Sequence, residues 1–435
     1  MKTDKQFIST RNSCKLCAPL GASVVFKGIE GCVPLIHGSQ GCATYIRRYM
    51  ISHYKEPVDI ASSNFSEQAT VYGGSRNFIT GINNIISQYH PGVIGIASTC
   101  LSETIGEDIA GHIRNYKEAN ETSKTTLPVF IHTSTPSYCG SHADGFYNTI
   151  LATVKSIAKE GERGHTINII PGFVSPADIR YLKELLEAFV LSYILFPDYS
   201  TTLDNEHLGE YQLIPAGGTS VADITRMADS QATIEFGTIF NKNTVRISGP
   251  GQIQTAGEWL ETEHIVKNYQ LPLPIGIDST DRFIDVLKEI SGLPLPEEFR
   301  KERGRLIDAY VDAHKYVFGK KVLIYGESDL VESLSGWLKE IGIEPYTVKG
   351  GDFEQLRAYA CDIKPDLLIG SSKGYYIARE LKIPLVRVGF PIHDRFGATR
   401  MHHLGYRGTQ ELFDRVVNAL IEYKQENSPV GYKYI

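Results

Sequence analysis

Long apolar runs and an excess of basic residues are both missing from this sequence. The longest apolar stretches, Val93 to Ala97 and Val322 to Tyr325, fall far short of the roughly 20 residues that cross a bilayer. Met1 to Asn12 is polar and lacks the apolar centre of a secretory signal, so a cytoplasmic protein with no membrane partner is expected. Lys and Arg number 44 against 50 Asp and Glu, a net charge of −6. That balance argues against the phosphate-neutralising surface of a nucleic-acid binder. Nucleotide fingerprints are also missing. Gly326-Glu327-Ser328-Asp329 and Gly370-Ser371-Ser372-Lys373-Gly374 lack the glycine and lysine order of dinucleotide and phosphate loops, so no nucleotide is expected on this chain.

What is present is an ordinary globular composition over 435 residues, 42% hydrophobic and 22% charged. At about 150 residues per domain the length suggests three domains. Short β-branched runs alternate with helical stretches, the rhythm of α/β units with parallel sheets. Strands are expected at Val93–Ala97, Val129–His132, Thr166–Ile170, Tyr193–Phe196, Lys321–Tyr325, Asp366–Ile369 and Leu385–Val388. Helices are expected at Glu103–Asn115, Ala143–Ala158, Pro296–Tyr316, Asp329–Ile341 and Thr409–Lys424. A further helix runs from Pro176 to about Phe189, with Ser175 as its N-cap and Pro176 at its first position. Ser220–Met227 and Gly257–Lys267 also read as helical. The fold class is therefore α/β, three Rossmann-like domains with mainly parallel sheets, divided at 1–164, 165–295 and 296–435.

Seven cysteines are present, an odd number, and six precede residue 140. A reducing compartment makes them thiols or metal ligands rather than a disulfide framework. Cys14, Cys17, Cys32, Cys42, Cys100 and Cys139 read as lying in loop-like contexts, with Cys100 and Cys139 after the carboxyl ends of strands, where open α/β sheets carry ligands. Cys361 reads as a buried, inert thiol. Three chemistries compete for the early group. A zinc ribbon needs a second Cys-x2-Cys beside Cys14 and Cys17, and none exists. A redox dithiol needs the pair at the helix start of a thioredoxin-like unit. An iron–sulfur cluster needs thiolates gathered from separate loops, with glycines such as Gly41 beside Cys42 letting backbone amides approach.

The motif series is specific. Cys17-Ala-Pro-Leu-Gly-Ala, His37-Gly-Ser-Gln-Gly-Cys42, Glu56-Pro-Val-Asp, Tyr72-Gly-Gly, Ser98-Thr-Cys100 with Glu103, Gly106 and Asp108, Thr135-Pro-Ser137 and Gly140-Ser-His142 follow in order. In that order they resemble the β-type subunits of the nitrogenase component 1 family, over nearly the whole chain. The resemblance implies three α/β domains. It implies that Cys17, Cys42 and Cys100 ligate half of an iron–sulfur cluster, a 4Fe-4S or an eight-iron P-cluster, shared with a homologous α subunit, with Ser137 as a redox-dependent further ligand. A cubane takes about four protein ligands, so three thiolates in one chain agree with a partner completing the set. The resemblance also implies that Tyr72 lies near the docking surface of an ATP-dependent iron-protein reductase, that the assembly is α2β2, and that an iron–molybdenum cofactor or its precursor sits mainly in the α subunit. No complete active site is then expected in this chain alone. Lys15-Leu16-Cys17-Ala-Pro and Tyr45-Ile-Arg-Arg-Tyr49 are similar to the family's scaffold β subunits, on which the cofactor matures. The alternative is the β subunit of a catalytic nitrogenase or nitrogenase-like reductase, and a remote one is a cluster-free α/β binding protein.

Other residues carry weaker expectations. His37, Gly41 and Arg47 are candidates for the surroundings of the cluster, while Cys14, Cys32 and Cys139 read as neighbouring or packing residues. Glu103 and Asp108 stand five apart, a spacing that does not share a helix face, so local capping or pairing is expected of each. His393, Arg395, Arg400, His402 and His403 form a basic loop after the last strand, read either as lining the path of an anionic cofactor or as a solvated loop.

Overall fold

A computed structural model describes residues 16–121, 126–207, 209–237, 254–348 and 352–431. Three four-stranded sheets are present among them. The first comprises β1 (Cys32–His37), β2 (Ala61–Ser62), β3 (Val93–Ser98) and β4 (Val129–Thr133), in the order β2-β1-β3-β4. The second has β5 (Ile167–Ile170), β6 (Tyr193–Leu195), β7 (Ala232–Phe236) and β8 (Lys267–Leu271), in the order β6-β5-β7-β8. The third has β9 (Lys321–Ile324), β10 (Glu344–Thr347), β11 (Leu367–Gly370) and β12 (Leu385–Arg387), in the order β10-β9-β11-β12. The pairs β1–β2, β1–β3, β3–β4, β5–β6, β5–β7, β9–β10, β9–β11 and β11–β12 run parallel. The expected α/β class with parallel sheets is thus observed. Two compact units result: one holds Leu16–Glu187 and Leu191–Gln270, and the other holds the chain from Leu271 onward with Ala188–Val190.

In the first sheet, helices surround the two central strands. Both β1 and β3 are buried at every position, as parallel strands covered on both faces must be. The helices are α1 (Ala18–Lys27), α2 (Gln40–Tyr54), α3 (Glu67–Tyr72), α4 (Ser75–Tyr89), α5 (Cys100–Thr104), α6 (Ile109–Ala119) and α7 (His142–Ile157). The amphipathic α4 places Phe78, Ile82 and Ile85 against Val33, Leu35, Ile94 and Ile96, an i, i+4, i+7 stripe on a sheet face.

Two features of the sequence conceal elements near the cysteines. Pro34 stands inside β1, where a missing N–H argues against a strand. It is tolerated because β2 pairs only with Leu35 and Ile36. The stretch Glu103–Asn115, expected as one helix, is two. Gly106 takes φ +76, and Asp108 then caps α6 by accepting from the Gly111 amide at 2.8 Å.

The tightest packing lies between α1 and α7. A Cβ on Gly21 would stand 1.8 Å from the His142 carbonyl oxygen, and one on Gly145 would stand 1.9 Å from that of Ala18. Two backbones therefore touch where side chains normally separate helices. On its other side α1 lays Phe26 on β3, at a place where a Cβ on Gly95 would fall 2.3 Å from the ring. These glycines fix both the height and the direction of α1.

Gly145→Ala should destabilise the protein by about 3 kcal/mol, the upper end for overpacking, because the obstacle is backbone rather than a flexible side chain. Gly304, exposed inside the helix Glu297–Val317 with nothing within 4 Å of a Cβ, is the internal comparison. Gly304→Ala should stabilise by up to about 1 kcal/mol through helix propensity. Denaturant melts followed by circular dichroism read both changes.

Candidate metal centre

A sheet of order 2-1-3-4 reverses direction between its first and third strands, and the carboxyl ends of those strands frame a crevice. In the first sheet these are the ends of β1 and β3. After β1 the chain runs through His37, Gly38 and Ser39 into α2, with Cys42 in its first turn. After β3, Thr99 caps α5 and Cys100 is the first helical residue. The two ends are held together closely. Thr99 Oγ1 donates to the His37 carbonyl at 3.2 Å, and a Cβ on Gly38 would fall 2.2 Å from Thr99 Oγ1. Gly38 rather than Gly41 is the glycine this approach requires, since a Cβ on Gly41 would meet only Ser39 Oγ, at 3.5 Å.

The third cysteine arrives from α1. Cys17 is its N-cap, extended at φ −65 and ψ 143, with Pro19 in the first turn. Leu16 is pinned to the start of α7: its amide donates to His142 Nδ1 at 3.1 Å and its carbonyl accepts from the His142 amide at 2.8 Å. Ser137, in the turn after β4, completes the join. Its hydroxyl accepts from the Ala18 amide at 3.1 Å, and its own amide donates to Cys100 Sγ at 3.2 Å. Cys17, Cys42, Cys100 and Ser137 thus come from four segments to one place.

All three thiols are unbonded and half-buried. Burial pushes the Cys42 thiol up from its usual value; a hydrogen bond from Ser39 opposes this, and negative charge on Cys17 or Cys100 adds to it. Three sulfurs that near one another cannot all ionise cheaply without a cation between them. Cys17 and Cys42 lie at the N-terminal ends of helices of 10 and 15 residues, where the dipole favours anionic sulfur. Among the described residues, no three His, Cys, Asp or Glu side chains are grouped to hold a single metal ion. A donor set of soft thiolates with a hydroxyl and an amide beside them fits a polynuclear iron–sulfur group.

Tyr45 enlarges the site beyond the expected residues. One turn after Cys42 on α2, it has Cys17 as a hydrogen-bonding neighbour, and burial, then Cys17 and Tyr49, raise its phenol. Its ring stands 4.7 Å from that of Tyr49. The i, i+3 spacing from Cys42 was the available sequence signal.

The remaining candidates separate. His37 is buried, and its Nε2 bonds Glu107 Oε2 at 3.2 Å. Burial takes its imidazole down to about 4 against the raising effect of Glu107, so it is neutral at pH 7. Arg47 pairs with Asp59 at 3.4 Å. Tyr72 ends α3 and is 87% exposed. Glu103 does not pair with Asp108; it accepts from the hydroxyls of Ser98 and Ser134, tying the ends of β3 and β4. Cys32 begins β1, fully buried, and desolvation pushes its thiol up to about 12. Cys139 lies in the turn after Ser137, with Cys100 among the groups raising its thiol after desolvation. Cys361 is exposed rather than buried, because it falls on the solvent face of the helix Phe353–Ile363, whose Leu356 and Ala360 face inward. In the basic loop Asp394 anchors Arg387 at 2.8 Å, and the His393 amide donates to Ser372 at 3.1 Å. Cys14 lies outside the described residues, and no described helix is long and apolar enough to cross a membrane.

The family model "Nitrogenase component 1 type Oxidoreductase" matches residues 17–351 and 346–421. The nitrogenase molybdenum-iron protein beta chain of Clostridium pasteurianum is 37% identical over 440 residues, spanning 94% of this chain and 93% of that one. The corresponding beta chain of Methanococcus maripaludis is 34% identical, with 96% of each chain aligned. A solved structure, nitrogenase Cp1 at pH 6.5, superposes with a TM-score of 0.92 at 34% identity, covering 100% of this chain and 98% of that chain. With its ordered cysteine motifs gathered at one switch point and its fold shared end to end with these relatives, the chain belongs to the nitrogenase component 1 family.

Proposed function

We propose that this chain is the β subunit of a nitrogenase-type αβ heteromer and that Cys17, Cys42 and Cys100 hold half of an iron–sulfur cluster at the subunit boundary. The observation that carries this reading is the convergence of three free thiols with Ser137 at the crevice between β1 and β3. A group needing more ligands than one chain offers is completed by a second chain, and the family resemblance makes that chain a homologous α subunit in an α2β2 assembly. Such a cluster supplies electron transfer. The protein supplies the Ser137 amide against Cys100 sulfur, helix N-termini at Cys17 and Cys42, and burial, all of which tune a cluster's potential.

Between branches, the catalytic reading has the better support. The curated relatives cited above are molybdenum-iron protein beta chains of nearly equal span. Ser137, whose amide donates to Cys100 Sγ, is the residue this reading takes as a further ligand of an eight-iron, P-cluster type group. In this reading the iron–molybdenum cofactor sits in the α chain, and an ATP-dependent iron protein delivers electrons over the exposed Tyr72. The scaffold reading keeps one ground, the sequence around Cys17 and Tyr45–Tyr49. Metal counting with EPR across a redox titration of the anaerobically purified heteromer separates the two, an eight-iron, two-electron cluster at the subunit boundary for the catalytic form and a four-iron signal there for the scaffold.

Cys17→Ala, Cys42→Ala and Cys100→Ala should each lower cluster affinity by more than ~10-fold, the scale that loss of an outer-shell partner already reaches. Iron analysis and the EPR signal of the reduced heteromer read the loss; unchanged iron and spectra in all three variants contradict the assignment. Ser137→Ala should leave the reduced-state spectrum as it is and alter the oxidised-state one. Its loss of the Ala18 hydrogen bond should cost about 1 kcal/mol of stability.

A further inference from the structure

Glu107 stands in the connection between α5, which carries Cys100, and Asp108, which caps α6. Its side chain is only 6% exposed. One oxygen, Oε1, accepts from the Gly74 amide at 2.6 Å. The other, Oε2, faces His37 Nε2 at 3.2 Å and His112 Nε2 at 3.0 Å. Burial works to raise this carboxyl, and the Gly74 amide with the two imidazoles outweighs it and holds the group below the ordinary carboxylate range. A carboxylate only accepts, so both imidazoles donate through Nε2. His37 Nδ1 is then left without a hydrogen-bond partner among the described residues. His132 is the other titratable group acting on His37.

These three partners belong to parts of the chain with different roles. His37 closes β1, five residues before Cys42, and its carbonyl is the one bonded by Thr99, next to Cys100. Gly74 follows the exposed end of α3, where Val71 is 73% and Tyr72 87% exposed. Gly73 sits at φ +90, a backbone region closed to side-chain-bearing residues. A Cβ on Gly74 would strike the Phe65 ring at 2.3 Å and come within 3.1 Å of Glu107 Oε2. The glycine pair thus lets the end of α3, which presents Val71 and Tyr72 to solvent, lie against a buried charge.

We propose that Glu107 is a positioning residue that couples the exposed Val71–Tyr72 surface to the strand ends bearing Cys42 and Cys100, so that docking of the iron protein on Tyr72 is registered with the cluster. This rests on the docking role given to Tyr72 above. The arrangement also predicts which substitution is tolerated. Glu107→Gln keeps an acceptor for Gly74, and its amide NH2 can face imidazoles that move their protons to Nδ1, a position His37 leaves open. Glu107→Ala abandons a buried backbone amide and two imidazoles together.

The test uses the intact heteromer, with iron-protein binding measured by biolayer interferometry and iron content measured in parallel. Glu107→Ala should raise the iron-protein Kd about tenfold, with iron content close to wild type. Glu107→Gln should restore the Kd to near the wild-type value. Tyr72→Ala should raise the Kd as well, and the double variant Tyr72→Ala/Glu107→Ala should be no worse than the poorer single one, because both act through one loop. An unchanged Kd in Glu107→Ala, additive effects in the double variant, or loss of iron in step with binding would each overturn the coupling. Should Glu107→Ala fail to assemble, Glu107→Asp, one methylene short of its partners, carries the same comparison. If Tyr72→Ala binds normally, the docking role itself falls, whereas an effect of Tyr72→Ala without one of Glu107→Ala removes the coupling alone.

Discussion

The backbone contact between α1 and α7 is the constraint on which the site depends. Cys17 has no strand of its own to place it; it is the N-cap of a helix whose position is set by Gly21 against the His142 carbonyl and Gly145 against that of Ala18. Any side chain at either glycine would push the helix outward by more than an ångström, and Cys17 with it. The same contact brings the Ala18 amide to Ser137 and the Leu16 backbone to His142. The other two thiols need no such device. Cys42 and Cys100 stand in the first turns of the helices that follow adjacent parallel strands, whose ends Thr99 and Gly38 join. A site built from both kinds of support is fixed to the sheet on one side and to a helix pair on the other.

Electrostatics then turns a packing arrangement into a binding site. Burial raises the Cys42 thiol, and negative charge on Cys17 or Cys100 adds to it. A metal core reverses that balance and draws on helix ends and on the Ser137 amide, which are already oriented toward sulfur. Around this centre the buried polar groups are tied to strand ends: Glu103 to Ser98 and Ser134, Glu107 to His37 and Gly74. Each carboxylate costs desolvation and is retained where it joins segments that sheet hydrogen bonding does not reach.

The sequence is legible where periodicity is strong. β3, β4, β5, β9, β11 and β12 lie within a residue or two of their expected places, because parallel strands with buried centres read as short runs of β-branched and aliphatic residues. The region holding the site is less legible. β1 contains Pro34, α2 is too polar to show a clear apolar stripe, and α4 carries its stripe among Ser and Asn, so Cys32 and Cys42 read as loop residues when one is in a strand and the other in a helix. The proposed ligand set was legible through ordered motifs rather than through folding physics. The glycines 21, 38 and 145 were not, since nothing local marks which glycine faces another backbone. Glu107 escaped for a related reason: its partners lie on other segments, and a single sequence does not pair them.

The central claim is that three sulfurs of this chain bound a cluster completed by a second chain. Iron-edge anomalous diffraction from crystals of the anaerobically prepared heteromer tests it most directly. The account predicts an anomalous peak bounded by the Sγ atoms of Cys17, Cys42 and Cys100 and continuing into the neighbouring subunit. A heteromer whose iron lies elsewhere, with no anomalous density among those three sulfurs, would contradict it.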